Sequence, residues 1–143
     1  MKDETLRVVF VEPGKPAQIK IIPNTLEAMQ RAVGGYIEAT YPFSEEVCLV
    51  SNEEGKICHL PYNRALRDTN GSILDVIAGS FFLCGCGEED FVGLTDRQVD
   101  RYLAKFAQPE SFKVINGKLI IIEESKSAAL QCCEEIDDGI ELF

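Results

Sequence analysis

The chain has 143 residues, 45% of them hydrophobic, so it matches the usual size of one domain and is long enough to bury a core. Its formal net charge is −10, from 24 acidic and 14 basic residues. A surface of that sign repels phosphate backbones and anionic lipids, so direct nucleic-acid binding is disfavoured.

The sequence also predicts where the protein is found. The charged N-terminal residues are not followed by an apolar run of signal-peptide length, and no segment approaches the roughly 20 apolar residues of a membrane span. We therefore expect a protein of the cytosol of whatever cell makes it. The six cysteines are expected to be free thiols there, because a domain of this size in a reducing compartment needs no disulfides.

The first predicted elements are a hairpin and a helix. Residues 6–12 are rich in β-branched side chains, and residues 17–22 alternate between apolar and polar, as a half-buried strand does. Asn24 and Glu27 have the spacing of an N-cap and its reciprocal acid. Gly34 and Gly35 predict the end of the helix that follows.

The middle of the chain predicts a meander of strands. Strands are expected at residues 36–41, 47–51 and 56–60, with a tight turn at residues 52–55. Two apolar runs separated by Gly79, residues 73–78 and 80–83, are typical of central strands.

The last third of the chain predicts a helix, a hairpin and an acidic tail. Thr95 and Gln98 have capping-box spacing, so a second helix is expected from there to about Pro109. Asn116 and Gly117 form the strongest hairpin signal of the chain. From residue 123 onward, seven acidic residues face one basic residue, a net charge of −6. We predict a single domain of residues 1–124, followed by a tail of residues 125–143 that is either a peripheral helix or disordered.

Together these elements predict an α+β fold. We expect an antiparallel twisted sheet of about six or more strands, with two main helices packed on one face. Exposed edge strands make a homodimer plausible.

Four short motifs support a family resemblance. They are Val33-Gly34-Gly35-Tyr36-Ile37-Glu38, Asn52-Glu53-Glu54-Gly55-Lys56, Leu60-Pro61-Tyr62-Asn63-Arg64 and Ile77-Ala78-Gly79. In this order, over roughly residues 6–107, they resemble a domain-of-unknown-function family encoded by phages and by conjugative or integrated elements. The resemblance implies a mobile-element accessory protein, and such proteins often bind a molecule of the host.

Two of these motifs suggest a ligand-binding surface. Gly34 and Gly35 allow close backbone approach beside Tyr36, although a helix C-cap is the favoured explanation of the two glycines. The segment Tyr62-Asn63-Arg64, with Arg67, is the one basic cluster of the acidic middle, and an arginine fork there suits a phosphate or carboxylate. The alternative is that Arg64 or Arg67 pairs with Asp68 or Asp75 and only fixes the loop. The candidate ligand-binding residues are therefore Gly34, Gly35, Tyr36, Tyr62, Asn63, Arg64 and Arg67.

The sequence contains no recognisable catalytic constellation. His59 is the single histidine, and in the predicted strand its side chain points away from Cys58, which argues against a Cys-His pair. Cys84, Cys86, Cys132 and Cys133 provide four thiols for zinc, but without the usual two-residue spacing. We therefore expect no metal, no cofactor and no enzymatic activity.

Three functions remain open on the sequence. The first is a non-catalytic protein that captures a small anionic, nucleotide-like host molecule. The second is an acidic inhibitor or adaptor that binds a host protein, either as a simple acidic surface or as a nucleic-acid mimic. The third is a metal-assisted or redox module that uses the cysteines.

Overall fold

The computed structural model describes residues 4–123. The described part of the chain divides after Pro109 into two compact units. The described elements of the first unit are the strands β1 Thr5–Val11, β2 Gln18–Pro23, β3 Ile37–Thr40, β4 Val47–Asn52, β5 Tyr62–Arg67, β6 Ile73–Ala78, β7 Phe81–Cys86 and β8 Phe91–Val92, with the helices α1 Leu26–Val33 and α2 Asp96–Lys105. The second unit contributes the hairpin β9 Glu110–Ile115 and β10 Lys118–Glu123. The predicted tail, residues 125–143, lies outside the described residues.

The first unit is built on one antiparallel sheet. Its strand order is β2-β1-β7-β4-β3, and the short β8 pairs with β7. Within residues 4–123, β2 and β3 are therefore the edges of this sheet. The strands β5 and β6 form a separate two-stranded sheet. The predicted α+β class and the antiparallel pairing are confirmed.

Both faces of the sheet are covered, and the two helices lie on opposite faces. Leu6, Val8 and Phe10 of β1 pack in one core cluster with Met29 and Val33 of α1. The alternate β1 residues, Val9 and Val11, pack in a second cluster with α2 and the β5–β6 hairpin, through Val99, Tyr102, Leu66 and Ile77. Each fully buried Val, Leu or Phe contributes about 1.5–3 kcal/mol. The expectation that both helices share one face was wrong.

The turns and caps predicted at Gly34, at Thr95 with Gln98 and at Asn116 with Gly117 are confirmed. Gly34 adopts the left-handed conformation with φ 80° and ends α1. Thr95 and Gln98 form a complete capping box at the start of α2. Asn116 and Gly117 have φ of 53° and 79° between β9 and β10. The first N-cap was misplaced by one residue, because the Thr25 hydroxyl accepts the Ala28 N–H at 3.1 Å.

Two strand predictions were wrong. Residues 53–59 form consecutive turns instead of a strand, because local hydrogen bonds satisfy their backbone, including Cys58 N to Glu54 O at 2.8 Å and Leu60 N to Gly55 O at 2.9 Å. His59 has a positive φ of 58°, which no strand residue adopts. The predicted central strand at residues 73–78 is β6, which pairs with β5 rather than with the main sheet.

The segment before β4 is tied to α2 through Glu45. Its carboxylate accepts the Tyr102 hydroxyl at 2.6 Å and forms an ion pair with Arg101. The Tyr102 hydroxyl, followed by Arg101 and Gln98, holds the pKa of Glu45 below its ordinary value of 4.5. Because that pKa is lowered in the folded state, this contribution to stability exists above the ordinary pKa and is lost as pH falls through the lowered value.

We expect Glu45→Gln to lower the free energy of unfolding at pH 7 by about 1 kcal/mol. Urea denaturation at pH 7 and below 4.5 measures this, and the difference from wild type should narrow in acid. The neighbouring exposed residue supplies the control, since Glu46→Gln should change little. A difference that persists unchanged in acid would contradict the assigned role.

Candidate functional site

The first two sequence motifs meet where α1 ends. A Cβ atom on Gly35 would lie 2.7 Å from Nδ2 of Asn52, so a larger residue here would displace this amide from its present position. Asn52 Nδ2 donates to Val33 O at 3.2 Å, and its Oδ1 accepts the Glu54 N–H at 2.8 Å. One side chain thus joins the end of α1 to the turn segment after β4.

The last three motifs meet on the other side of that segment. A Cβ atom on Gly55 would lie 2.5 Å from the carbonyl oxygen of Ala78. Gly79, with φ 86°, donates its N–H to Pro61 O at 2.7 Å and accepts Asn63 Nδ2 at 2.9 Å. The four motifs therefore position one segment, residues 53–61, between α1 and β6.

Asn63 and Arg64 lie in the interior, with exposed fractions of 0% and 2%. The Arg64 guanidinium donates to Asn63 Oδ1 at 2.8 Å, Lys15 O at 2.6 Å and Phe106 O at 2.9 Å. Phe106 caps the C-terminus of α2, where the helix dipole favours a cation. Arg64 thus joins the β1–β2 turn to the end of α2.

This placement divides the predicted ligand-binding residues into three groups. Gly34, Gly35 and Tyr36 line one concavity. Asn63 and Arg64 are buried, so the expected guanidinium fork is not at the surface. Tyr62 and Arg67 stand at opposite ends of β5, which at about 3.3 Å per residue separates them by roughly 17 Å. The seven residues therefore do not form one surface, and whether any of them binds a ligand stays a prediction.

Three concavities instead border the edge strand β3. The α1-side concavity, of about 360 Å³, includes Ile37 and Tyr41 in its lining. The hairpin-side concavity, of about 310 Å³, lies against Glu38 and Thr40 on the opposite face and reaches β6. The glycine concavity, of about 240 Å³, includes Tyr36, the residue before the strand, but no residue of β3 itself. The strand thus lines the first two concavities, and the third lies at its N-terminal end.

Each concavity is lined by more acidic than basic side chains. The α1-side concavity contains Glu88, Glu89 and Asp90, and none of its lining residues is basic. In the hairpin-side concavity, Glu38, Glu53 and Asp75 face a single base, Lys56, which pairs with Asp75 at 2.6 Å. The glycine concavity has Glu54 and no base in its lining. All three favour cationic over anionic groups.

The outer edge of β3 carries backbone groups that no described strand pairs with. Glu53 N donates to Tyr36 O at 2.8 Å, and the register pairs Glu38 with Ser51, so these alternate residues face β4. The intervening residues, Ile37 and Ala39, therefore direct their N–H and C=O groups away from β4. Among residues 4–123, no strand other than β4 pairs with β3. Exposed apolar side chains flank this edge, with Tyr36 67%, Tyr41 65% and Ile57 76% exposed.

The opposite edge of the sheet, β2, is less suited to pairing with another strand. Asn24 N donates to Glu4 O, so Asn24 and every second residue before it face β1. The intervening residues of β2, which are Ile19, Ile21 and Pro23, therefore face outward. The strand carries Lys20 as well as Pro23, two residues that natural proteins use to discourage edge pairing. β3 contains neither lysine nor proline. β3 is therefore the more accessible edge for another strand.

Three thiols form a cluster that the sequence did not predict. Cys48 of β4 is the direct cross-strand partner of Cys84 of β7, and Cys86 follows on the same face. The hydrogen bond from Cys84 lowers the pKa of Cys48, whereas the bond to Cys48 and burial raise the pKa of Cys84. Burial also raises the pKa of Cys86. Cys48, Cys58, Cys84 and Cys86 are free thiols, and Cys132 and Cys133 lie outside the described residues.

No group of three or more His, Cys, Asp or Glu side chains within residues 4–123 is arranged to hold a metal ion. Cys58 and His59 are exposed on consecutive turns rather than on a strand. None of the helices described in this range is long and apolar enough to cross a membrane.

The surface around β3 had a weak sequence signal. Residues 37–41 alternate between the two faces in a short strand bounded by Gly35 and Pro42, but nothing in that pattern indicates that the strand lies at an edge. Glu38, Ala39 and Ile57 were therefore not predicted as site residues.

Comparison with known proteins gives one match. Residues 6–107 match the model of a family described as a domain of unknown function (DUF3846). No curated protein and no solved structure matches the chain significantly.

Proposed function

We propose a binding function for this protein, which belongs to the DUF3846 family, a family of domains of unknown function. The protein is an acidic, non-catalytic adaptor or inhibitor that binds a segment of a protein partner along the edge of β3. The observation that carries the proposal is that three concavities, on both faces and at one end, border this single edge strand. Peptides that add a strand gain affinity from backbone hydrogen bonds and specificity from pockets for alternate side chains.

The charge around β3 favours a basic partner over a small anion. Arg64, the group expected to grip a phosphate, is 2% exposed and donates to backbone carbonyls. The accessible concavities are instead acidic, and the whole chain carries a charge of −10. Complementary charge speeds association and selects against acidic partners. A small nucleotide-like ligand therefore has less support than a basic protein segment.

The resemblance to a family of phage and mobile-element proteins bears on where the partner protein comes from. In that setting the partner is a host protein, and the bound segment is one that would otherwise contact another acidic molecule. An acidic surface that occupies such a segment inhibits by competition.

The proposal predicts that binding requires the outer edge of β3. A displayed library of random nine-residue peptides is selected on immobilised wild-type protein, and the enriched peptides are then measured against Ala39→Pro. The proline removes an outward N–H without removing a hydrogen bond to β4, so binding should fall by at least about tenfold while the fold is retained.

A matched variant exists on the other edge of the same sheet. Ile21 also faces outward, so Ile21→Pro makes the same chemical change on β2 and should leave peptide binding unaltered. Circular dichroism checks that both variants fold. Enriched peptides that bind Ala39→Pro as well as wild type would overturn the proposal. So would a failure to enrich any peptide, or a β3-mediated homodimer, detected by sedimentation, that Ala39→Pro dissociates.

A further inference from the structure

The two faces of β3 present different chemistry to an added strand. Ile37 and Ala39 pack on the α1 side, whereas Glu38 and Thr40 line the hairpin-side concavity. A strand paired with β3 continues this alternation, so its successive side chains point to the α1 side and the hairpin side in turn. The composition of the two concavities therefore determines which side chains suit alternate positions of the partner. This inference rests on the proposed strand addition.

The α1-side concavity suits an apolar side chain. Its lining includes Met29, which is 5% exposed, together with Ile37 and Phe91. Tyr41, 65% exposed, also lines it and adds an aromatic surface. An aliphatic or aromatic group placed here removes apolar surface from water on both molecules. Glu88, Glu89 and Asp90 line this concavity as well and give it a negative charge.

The hairpin-side concavity suits a basic side chain. Glu38 and Glu53 are exposed, and neither forms an ion pair with another residue of the described part of the chain. Asp75 is already paired with Lys56, which leaves the two glutamates as the acceptors for an incoming cation. The long apolar stem of lysine or arginine also fits against Ile57 and Val76 in the same lining.

We infer that the partner segment is an extended peptide in which apolar and basic residues alternate, with the apolar side chains in the α1-side concavity and the basic ones in the hairpin-side concavity. The two requirements act together. Alternation selects for an extended strand, and the basic positions select against the many apolar strands that pair with any exposed edge.

Three synthetic eight-residue peptides test this pattern. The first alternates valine and lysine, the second alternates valine and glutamate, and the third contains four lysines followed by four valines. Fluorescence anisotropy with labelled peptides should give the first a dissociation constant at least about tenfold lower than either of the others. Equal affinity of the first and third peptides would overturn the requirement for alternation, and equal affinity of the first and second would overturn the requirement for basic residues.

A charge reversal in the hairpin-side concavity provides a second test. Glu38→Lys should weaken binding of the valine–lysine peptide by about tenfold at low salt. Asp100→Lys makes the same charge change on the exposed side of α2 and should have little effect. Equal losses in both variants would show that only net charge matters and would overturn the assignment to Glu38. Selected peptides that require β3 but do not alternate would overturn this inference while leaving the proposed function intact.

Discussion

Replacement of Arg64 by alanine is expected to lower the free energy of unfolding by about 3 kcal/mol or more. Its buried guanidinium donates to carbonyl oxygens of Lys15 and Phe106 and to the side chain of Asn63. Alanine leaves these buried acceptors without this donor and creates a cavity between the β1–β2 turn and the end of α2. Equilibrium denaturation in urea measures the change, with the midpoint shifted and the slope kept.

Two further variants serve as comparisons for Arg64→Ala. Arg64→Lys keeps the charge but lacks the planar fork, so it should restore only part of the lost stability. Arg97→Ala removes an exposed arginine from α2 and should stay within about 0.5 kcal/mol of wild type. An Arg64→Ala protein as stable as wild type would contradict the structural role of Arg64 and return it to consideration as a ligand-binding residue.

Gly55→Ala is expected to destabilise the protein by about 2 kcal/mol. The new Cβ atom would lie 2.5 Å from the carbonyl oxygen of Ala78 and 3.3 Å from its carbonyl carbon. Because both are backbone atoms, residues 53–61 must move away from β6 to relieve the contact. Thermal unfolding measures the loss of stability.

The same substitution should also reduce peptide binding, since Glu53 and Ile57 of this segment line the hairpin-side concavity. His59→Asn is the control, because His59 lies in the same segment, is exposed and lines none of the three concavities, and asparagine accepts its positive φ of 58°. If Gly55→Ala unfolds at the wild-type temperature, residues 53–61 do not pack on β6 as described.

Local signals predicted the elements whose ends depend on local chemistry. The capping box of Thr95 and Gln98 and the left-handed Gly34 at the end of α1 each satisfy backbone groups within a few residues, so their residue types are visible in the sequence. The Asn116-Gly117 turn has the same property. The predicted strand at residues 56–60 failed because turn hydrogen bonds and packing against Ala78 outweigh a short apolar pattern.

The sequence does indicate that helices cover both faces of the sheet, but through continuous apolar runs rather than through alternation of apolar and polar residues. β1, β4 and β7 are almost continuously apolar, and every residue from Val47 to Val50 is fully buried. Such runs indicate strands covered on both faces, which requires the helices to be distributed between the two sides. The single-face prediction did not use this signal.

The candidate site was less predictable because it depends on contacts distant along the chain. Arg64 donates to carbonyls 49 and 42 residues away, so its exposure cannot be read from its neighbours in sequence. The edge position of β3 depends on the strand order, in which consecutive strands of the chain are not always neighbours. The concavities combine side chains from several separate segments, which the motifs alone do not bring together.

The most direct test of strand addition at β3 is amide hydrogen exchange measured by NMR with and without a selected peptide. Bound peptide should slow exchange of the outward amides of Ile37 and Ala39, while the outward amides of Ile19 and Ile21 on β2 keep their rates. Protection at β3 alone would establish the edge as the binding site. Unchanged exchange at β3 under saturating peptide, with protection elsewhere, would contradict the proposal and place the partner on another surface.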